Sequence, residues 1–217
     1  MLDHISKADK WLEILRPYLR RFRREKISFV PEKSALLIID MQRFFLDPKS
    51  HAYLPDGIQI LENVRKLLHA YRASSLPIIF TRHALLRKQD PGAMGRWWRD
   101  IIFEDDAMSS IVEELKPLPD EIVIRKTRYS AFANTDLDQV LRNLGVTQLV
   151  ITGVMTHLCC ETTARDAFVR DFDVFFVIDA TATRNEDLHL SSLKNLCDGF
   201  AILVKSEEVI AWLKQRK

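Results

Sequence analysis

Two adjoining stretches decide the fold: Gln148-Leu149-Val150-Ile151-Thr152-Gly153-Val154 and Cys159-Cys160-Glu161-Thr162-Thr163-Ala164-Arg165-Asp166-Ala167-Phe168. The first is a short, continuous apolar run and reads as a strand covered on both faces. The second has helical character. Only Met155-Thr156-His157-Leu158 separates them, so the pair reads as strand, tight turn and helix. Cys159 opens the helix. A thiol there meets unpaired backbone N–H groups and the positive end of the helix dipole, and both favour thiolate. The position therefore points to a nucleophile, although a free cysteine is also among the most commonly buried residues.

Five further apolar runs have the same look: Ala35–Asp40, Pro77–Arg82, Glu121–Lys126, Val174–Ala180 and Phe200–Lys205. Between them lie helical faces. Ile58, Leu61, Val64, Leu67 and Leu68 make one. Leu137, Val140, Leu141 and Leu144 make a second, with Gly145 as its C-cap. Leu188, Ser191, Leu193 and Leu196 make a weaker third. Strands alternating with helices predict right-handed βαβ units and a parallel sheet between two helical layers.

Two regions interrupt the alternation. Residues 83–106 form a long loop with His83, Arg87, Trp97 and Trp98 and little apolar period. Loops of that length in compact domains are usually functional. Its vicinal tryptophans either wall a pocket or pin the loop to the core. Residues 1–32 precede the first strand as a helical arm, with 33–217 as the main domain. Trp11, Leu12, Leu15, Tyr18, Leu19 and Phe22 share a helical spacing, Pro17 divides the arm, and Arg20, Arg21, Arg23, Arg24 and Lys26 make a basic stripe. The arm is expected to pack on its own domain or on a neighbouring subunit.

Composition narrows the class. The chain has 217 residues, 47% hydrophobic and 29% charged, which fits one α/β domain with a sizeable core. A net charge of +2 gives no global drive toward nucleic acid. Three cysteines, two of them adjacent, form neither a disulfide framework nor a zinc pair. No apolar run approaches the roughly 20 residues of a membrane span, and the N-terminal stretch, with Asp3 and no apolar core, does not read as a secretory signal. These features predict a cytoplasmic protein acting on a small molecule, without nucleic-acid or membrane partners.

Sites in open parallel sheets form outside the carboxyl ends of strands, near the point where strand order reverses. Asp40 closes the first predicted strand, Lys126 closes the third and Cys159 follows the fourth. A carboxylate, an ammonium and a thiol at one rim make a catalytic set. Asp40 is placed to take the thiol proton, Lys126 to hold the anionic forms, and the backbone N–H groups of 155–159 to receive an oxyanion.

The stretches Leu36–Phe45 (LLIIDMQRFF), Val123–Phe132 (VIRKTRYSAF) and Val150–Phe168 (VITGVMTHLCCETTARDAF), in this order and spacing, resemble the isochorismatase-like cysteine hydrolases. The likeness runs from about Ser34 to Ile210. It implies a three-layer α/β/α, Rossmann-like fold, a six-stranded parallel sheet of order 3-2-1-4-5-6 and a homodimer or homotetramer. It implies that Asp40, Lys126 and Cys159 are catalytic, that a non-proline cis peptide precedes Met155, and that the N–H groups of Met155 and Cys159 form an oxyanion hole. Cys160 matches a packing position, and Cys197 reads as core or helix surface. Strand order poses a geometric demand: Lys126 starts two strands from Asp40, roughly 10 Å at about 4.8 Å per strand, so its side chain must lean across the end of the second strand.

Within the family, the chain departs from nicotinamidases, which carry an Asp and histidines as metal ligands after the second strand. Here that stretch has one histidine, His83, which argues against nicotinamidase activity and predicts no metal and no cofactor. Lys126–Phe132 looks like the isochorismatase branch, whose members cleave a vinyl ether by Asp protonation and typically lack the cysteine. The presence of Cys159 favours C–N hydrolysis of a small amide, ureide or carbamoyl compound through a thioester. The alternatives are an Asp40-driven vinyl-ether hydrolase and a silent interaction module. Gln42, Phe45, His83, Trp97, Trp98, Tyr129 and Met155 are the expected pocket residues. Arg87, Arg96 and Arg128 are candidates to bind a substrate carboxylate.

Overall fold

The computed structural model describes residues 6–19, 26–98 and 100–215. The apolar runs become six strands: β1 (Ser34–Ile39), β2 (Ile78–His83), β3 (Ile122–Lys126), β4 (Gln148–Val154), β5 (Asp173–Ala182) and β6 (Ile202–Val204). Every residue of β1 and β4 is buried, as strands covered on both faces require. They form one parallel sheet in the order β3-β2-β1-β4-β5-β6.

Alternate side chains enter two cores. Ala35, Leu37 and Ile39 of β1 join one, under helices α5 (Leu137–Asn143), α6 (Glu161–Phe168) and α7 (Glu186–Gly199). Leu36 and Ile38 join the other, under α3 (Pro55–Ala73) and α8 (Ser206–Lys214). Two short helices, α2 (Arg43–Leu46) and α4 (Gly92–Trp97), follow the ends of β1 and β2.

Strand order reverses between β1 and β4, where Ile39 pairs with Gly153. Gly153 has φ +109°, and a Cβ there would overlap the Ile39 backbone. Only glycine allows the two chains to approach this closely. The crevice for a ligand therefore opens beyond Asp40 and the residues after Val154.

Some predicted faces shift. The buried stripe of α3 is Ile60, Val64, Leu67, Leu68 and Tyr71, and Ile58 is 41% exposed. On α7 the buried set is His189, Ser192, Leu193, Leu196 and Cys197, with Ser191 exposed. Leu144, after α5, is exposed, while Gly145 has the positive φ of a C-cap glycine.

In the arm, Ser6 caps α1 (Lys7–Leu15) and Pro17 sits in a following 3-10 turn. Trp11 and Leu15 are buried in the core that α7 helps to form. The arm thus docks on its own domain, the first of the two expected placements. Phe22 and the basic residues Arg20 to Arg24 lie outside the described residues. No described helix is long and apolar enough to cross a membrane.

Candidate active site

β1 delivers Asp40 to the rim in a left-handed conformation, φ +49°, which Asp tolerates better than most residues. Thr81 of β2 fixes the carboxylate: its hydroxyl donates to Asp40 Oδ1 at 2.7 Å and accepts from the Asp40 N–H at 3.1 Å. Oδ2 has no conventional hydrogen bond and faces the Lys126 ammonium at 2.6 Å in an ion pair. Lys126 pairs in register with His83 of β2, so its side chain does cross the end of that strand. The same Nζ donates to Cys159 Sγ at 3.3 Å and to the Arg128 carbonyl at 3.0 Å. Asp40 and Lys126 are both fully buried.

Cys159 does not open an α-helix. It lies in a π-helical turn, Thr156–Cys160, and α6 begins only at Glu161. The Val154–Met155 peptide before the turn is cis. Burial also works against the thiolate that the position suggested. Burial pushes the Cys159 thiol up to about 12, with the Lys126 ammonium opposing the rise and the Asp40 carboxylate adding to it. Desolvation is the largest of these influences and favours the thiol form. Burial works against charge on Lys126 too, but Asp40 and Cys159 beside it hold the ammonium above its ordinary value. Cys160 and Cys197 are buried members of the core.

Cys159 lines a cavity of about 510 Å³. Phe44, Phe45, Tyr53, Trp97, Trp98 and Tyr129 supply its aromatic walls, and Met155 and His83 also line it. Trp98 Nε1 donates to the Tyr129 hydroxyl at 2.7 Å, so this tryptophan both walls the pocket and fastens the loop. Trp97 is 79% exposed and stands at the opening. Burial, reinforced by Lys126, lowers His83 to about 4, and its Nδ1 is buried without a hydrogen-bond partner. A neutral imidazole thus faces the site.

Gln42 is not a pocket residue. It is fully buried, its Nε2 donates to the His83 and Ser109 carbonyls, and its Oε1 accepts from the His83 N–H. That amide is fully used in joining β1 to β2. The arginine expectations also change. Arg87 is ion-paired with Asp105 and Asp106, Arg128 donates to the Thr127 carbonyl, and neither they nor Arg96 line the cavity. Arg184, on the loop between β5 and α7, does line it. Nothing local marked this exposed loop arginine. Only the strand order, which sets the end of β5 beside that of β4, pointed there.

No described group of three His, Cys, Asp or Glu is arranged to hold a metal ion. His51 is paired with Asp100 at 2.8 Å rather than with His83.

Fold and site together define an open parallel α/β protein with a buried Asp40, Lys126 and Cys159 cluster at the β1/β4 switch point. The Isochorismatase domain family matches residues 34–208, and the chain belongs to that family of hydrolases. It is 44% identical over 180 residues to nicotinamidase 3 of Arabidopsis thaliana, covering 81% of this chain and 86% of that protein. It is 34% identical over 184 residues to enterobactin synthase component B of Escherichia coli (strain K12), covering 84% of this chain but only 64% of that longer protein. A crystal structure of a cysteine hydrolase from Pseudomonas syringae pv. phaseolicola 1448A superimposes with a TM-score of 0.84 at 29% identity, covering 87% of this chain and 96% of that one.

Proposed function

We propose that the protein is a cysteine amidohydrolase that cleaves the C–N bond of a small amide, ureide or carbamoyl compound. One observation carries the reading: Cys159 Sγ, Lys126 Nζ and Asp40 Oδ2 form an unbroken buried contact chain whose thiol end lines the pocket. Cys159 attacks the substrate carbonyl carbon while Asp40 takes the thiol proton. The proton passes to the leaving nitrogen, the C–N bond breaks, and a thioester remains. Water, deprotonated by Asp40, attacks the thioester and releases the acid and the thiol. Lys126 offsets negative charge as it moves from carboxylate to sulfur. The N–H groups of Met155 and Cys159 receive the oxyanion. Lys126 touches both the sulfur and the carboxylate that takes its proton, which keeps the base beside the nucleophile.

The aromatic walls favour a flat or unsaturated substrate, and Arg184 offers a guanidinium to a carboxylate or ring acceptor. The likeness to a nicotinamidase makes nicotinamide the first compound to test, despite the expectation drawn from the missing metal ligands. The likeness to enterobactin synthase component B makes vinyl-ether cleavage by Asp40 the second reading.

A panel of nicotinamide, ureido acids and aliphatic amides, assayed for ammonia release, tests the proposal. Cys159→Ala and Asp40→Asn are each expected to lower kcat by about a thousandfold or more, as loss of a nucleophile or its base does. Ammonia release that survives Cys159→Ala rejects the thiol mechanism, and cleavage of isochorismate, run beside the panel, that survives Cys159→Ala but not Asp40→Asn favours the ether type.

A further inference from the structure

The turn that carries Cys159 is π-helical, a rare conformation found mostly as single turns and frequently at functional sites. Side chains tether it at three points. Lys126 holds Cys159 Sγ, Thr183 Oγ1 meets His157 Nδ1 at 2.6 Å, and Thr156 Oγ1 meets His189 Nδ1 at 3.0 Å. The third contact stands apart. Thr156 is fully buried and His189 is 3% exposed, neither lines the Cys159 pocket, and the hydrolytic scheme uses neither.

A buried hydroxyl–imidazole pair is a weak source of stability. Both groups are desolvated, and a hydrogen bond returns only about 0.5–1.5 kcal/mol net. An apolar pair of similar volume would serve packing as well. What the polar pair supplies is direction. It fixes the side chain of Thr156, the first residue of the turn and the neighbour of Met155. Burial, with Lys7 adding, lowers His189 to about 4, so the imidazole is a neutral partner across the physiological range.

The N-terminal arm closes the other side of this pair. The Trp11 ring lies 4.3 Å from the His189 ring, and Trp11 Nε1 donates to Glu186 Oε1 at 2.6 Å. Glu186 and His189 are one turn apart on α7, so the indole spans that turn and confines the imidazole.

We propose that His189, acting through Thr156 and confined by Trp11 of the arm, is the positioning residue that sets the Cys159 turn against Asp40 and Lys126. This rests on the cysteine-hydrolase reading above. It gives the arm a part in catalysis.

The test compares Thr156→Val, Thr156→Ser, His189→Ala, Trp11→Ala and Trp11→Phe in the full chain. It uses an amide that the wild type hydrolyses, together with the rate of Cys159 alkylation by iodoacetamide read by mass spectrometry. Thr156→Val and His189→Ala are each expected to lower kcat tenfold or more with KM within twofold, and to slow Cys159 alkylation at least fivefold. Their double variant is no worse than either alone. Thr156→Ser restores kcat to within threefold. Trp11→Ala loses kcat in the same direction, and Trp11→Phe does not. If His189→Ala fails to fold, the volume-conserving Thr156→Val carries the test. Unchanged kcat and alkylation in Thr156→Val, additive losses in the double variant, or no rescue by serine overturns the positioning role. Unchanged kcat in Trp11→Ala overturns the part given to the arm. Hydrolysis persisting in Cys159→Ala instead overturns the cysteine-hydrolase reading, and the alkylation rates then still decide the positioning role.

Discussion

Asp40 and Lys126 each depend on the other being charged. A fully buried carboxylate or ammonium costs several kcal/mol in desolvation, and the 2.6 Å contact is the charge–charge interaction that offsets it, beside the Thr81 hydroxyl on Asp40 and the Arg128 carbonyl on Lys126. Removing one partner strands the other. Lys126→Met is therefore expected to destabilise the protein by about 3–5 kcal/mol, while Asp40→Asn combined with Lys126→Met recovers much of that loss. Chemical denaturation of the two single variants and the double closes the cycle, and additive losses would show that the pair is not coupled. Much of this pair was legible beforehand. Strand ends pointed to both residues, and the strand spacing required Lys126 to cross β2. The burial that opposes ionisation of Cys159 was not legible, because its sequence position speaks only for the local dipole. Gln42 misled for a related reason: it follows Asp40 closely, but the backbone of His83 and Ser109 claims its amide.

Among the elements, β4 and the turn after it place the thiol, and Gly153 is the point at which β4 can fail. Its φ of +109° excludes ordinary side chains, and any Cβ would enter the Ile39 backbone at the residue before Asp40. Gly153→Ala must move β1 from β4 and pull Asp40 from Cys159 together. A loss of about 3 kcal/mol or more is expected, as for strain at a special backbone site, along with a larger fall in kcat than the stability loss explains at low temperature. A variant with wild-type melting and kcat would refute the tight-approach argument. The strands were legible because both faces of each are covered, so their runs are continuously apolar. The helices were less so: the 3.6-residue period does not tell Ile58 from Ile60 at the start of α3, and polar His189 and Ser192 disguise the buried face of α7. The π turn left no sequence signal at all, since its shape is imposed by Lys126, Thr183 and His189 from three other elements.

Across the whole molecule, the buried titratable groups set a pH window for stability. His83 and His189 are both lowered from 6.5 to about 4 by burial. Each contributes stability that is complete above the unfolded value and is lost as pH falls toward the folded one, because the unfolded chain takes up the proton first. At the extreme this is about 3 kcal/mol per histidine. At the other end Cys159 is raised from 9.0 to about 12, and Lys126 is raised as well. Stability from these groups is complete below their unfolded values and is lost as pH rises through the folded ones. The arithmetic places the plateau between about 6.5 and 9. The acid edge runs from about 6.5 down to 4, where ordinary surface carboxylates have largely yet to titrate. Urea unfolding at half-unit pH steps should show a fall in ΔG across that acid edge. Substituting His83 by Asn and His189 by Gln should flatten the slope, each by its own share, while lowering the plateau for lost contacts. A slope unchanged in the doubly substituted protein would mean that the two imidazoles are not held neutral, and the uncharged His189 on which the Thr156 contact relies would fall with it.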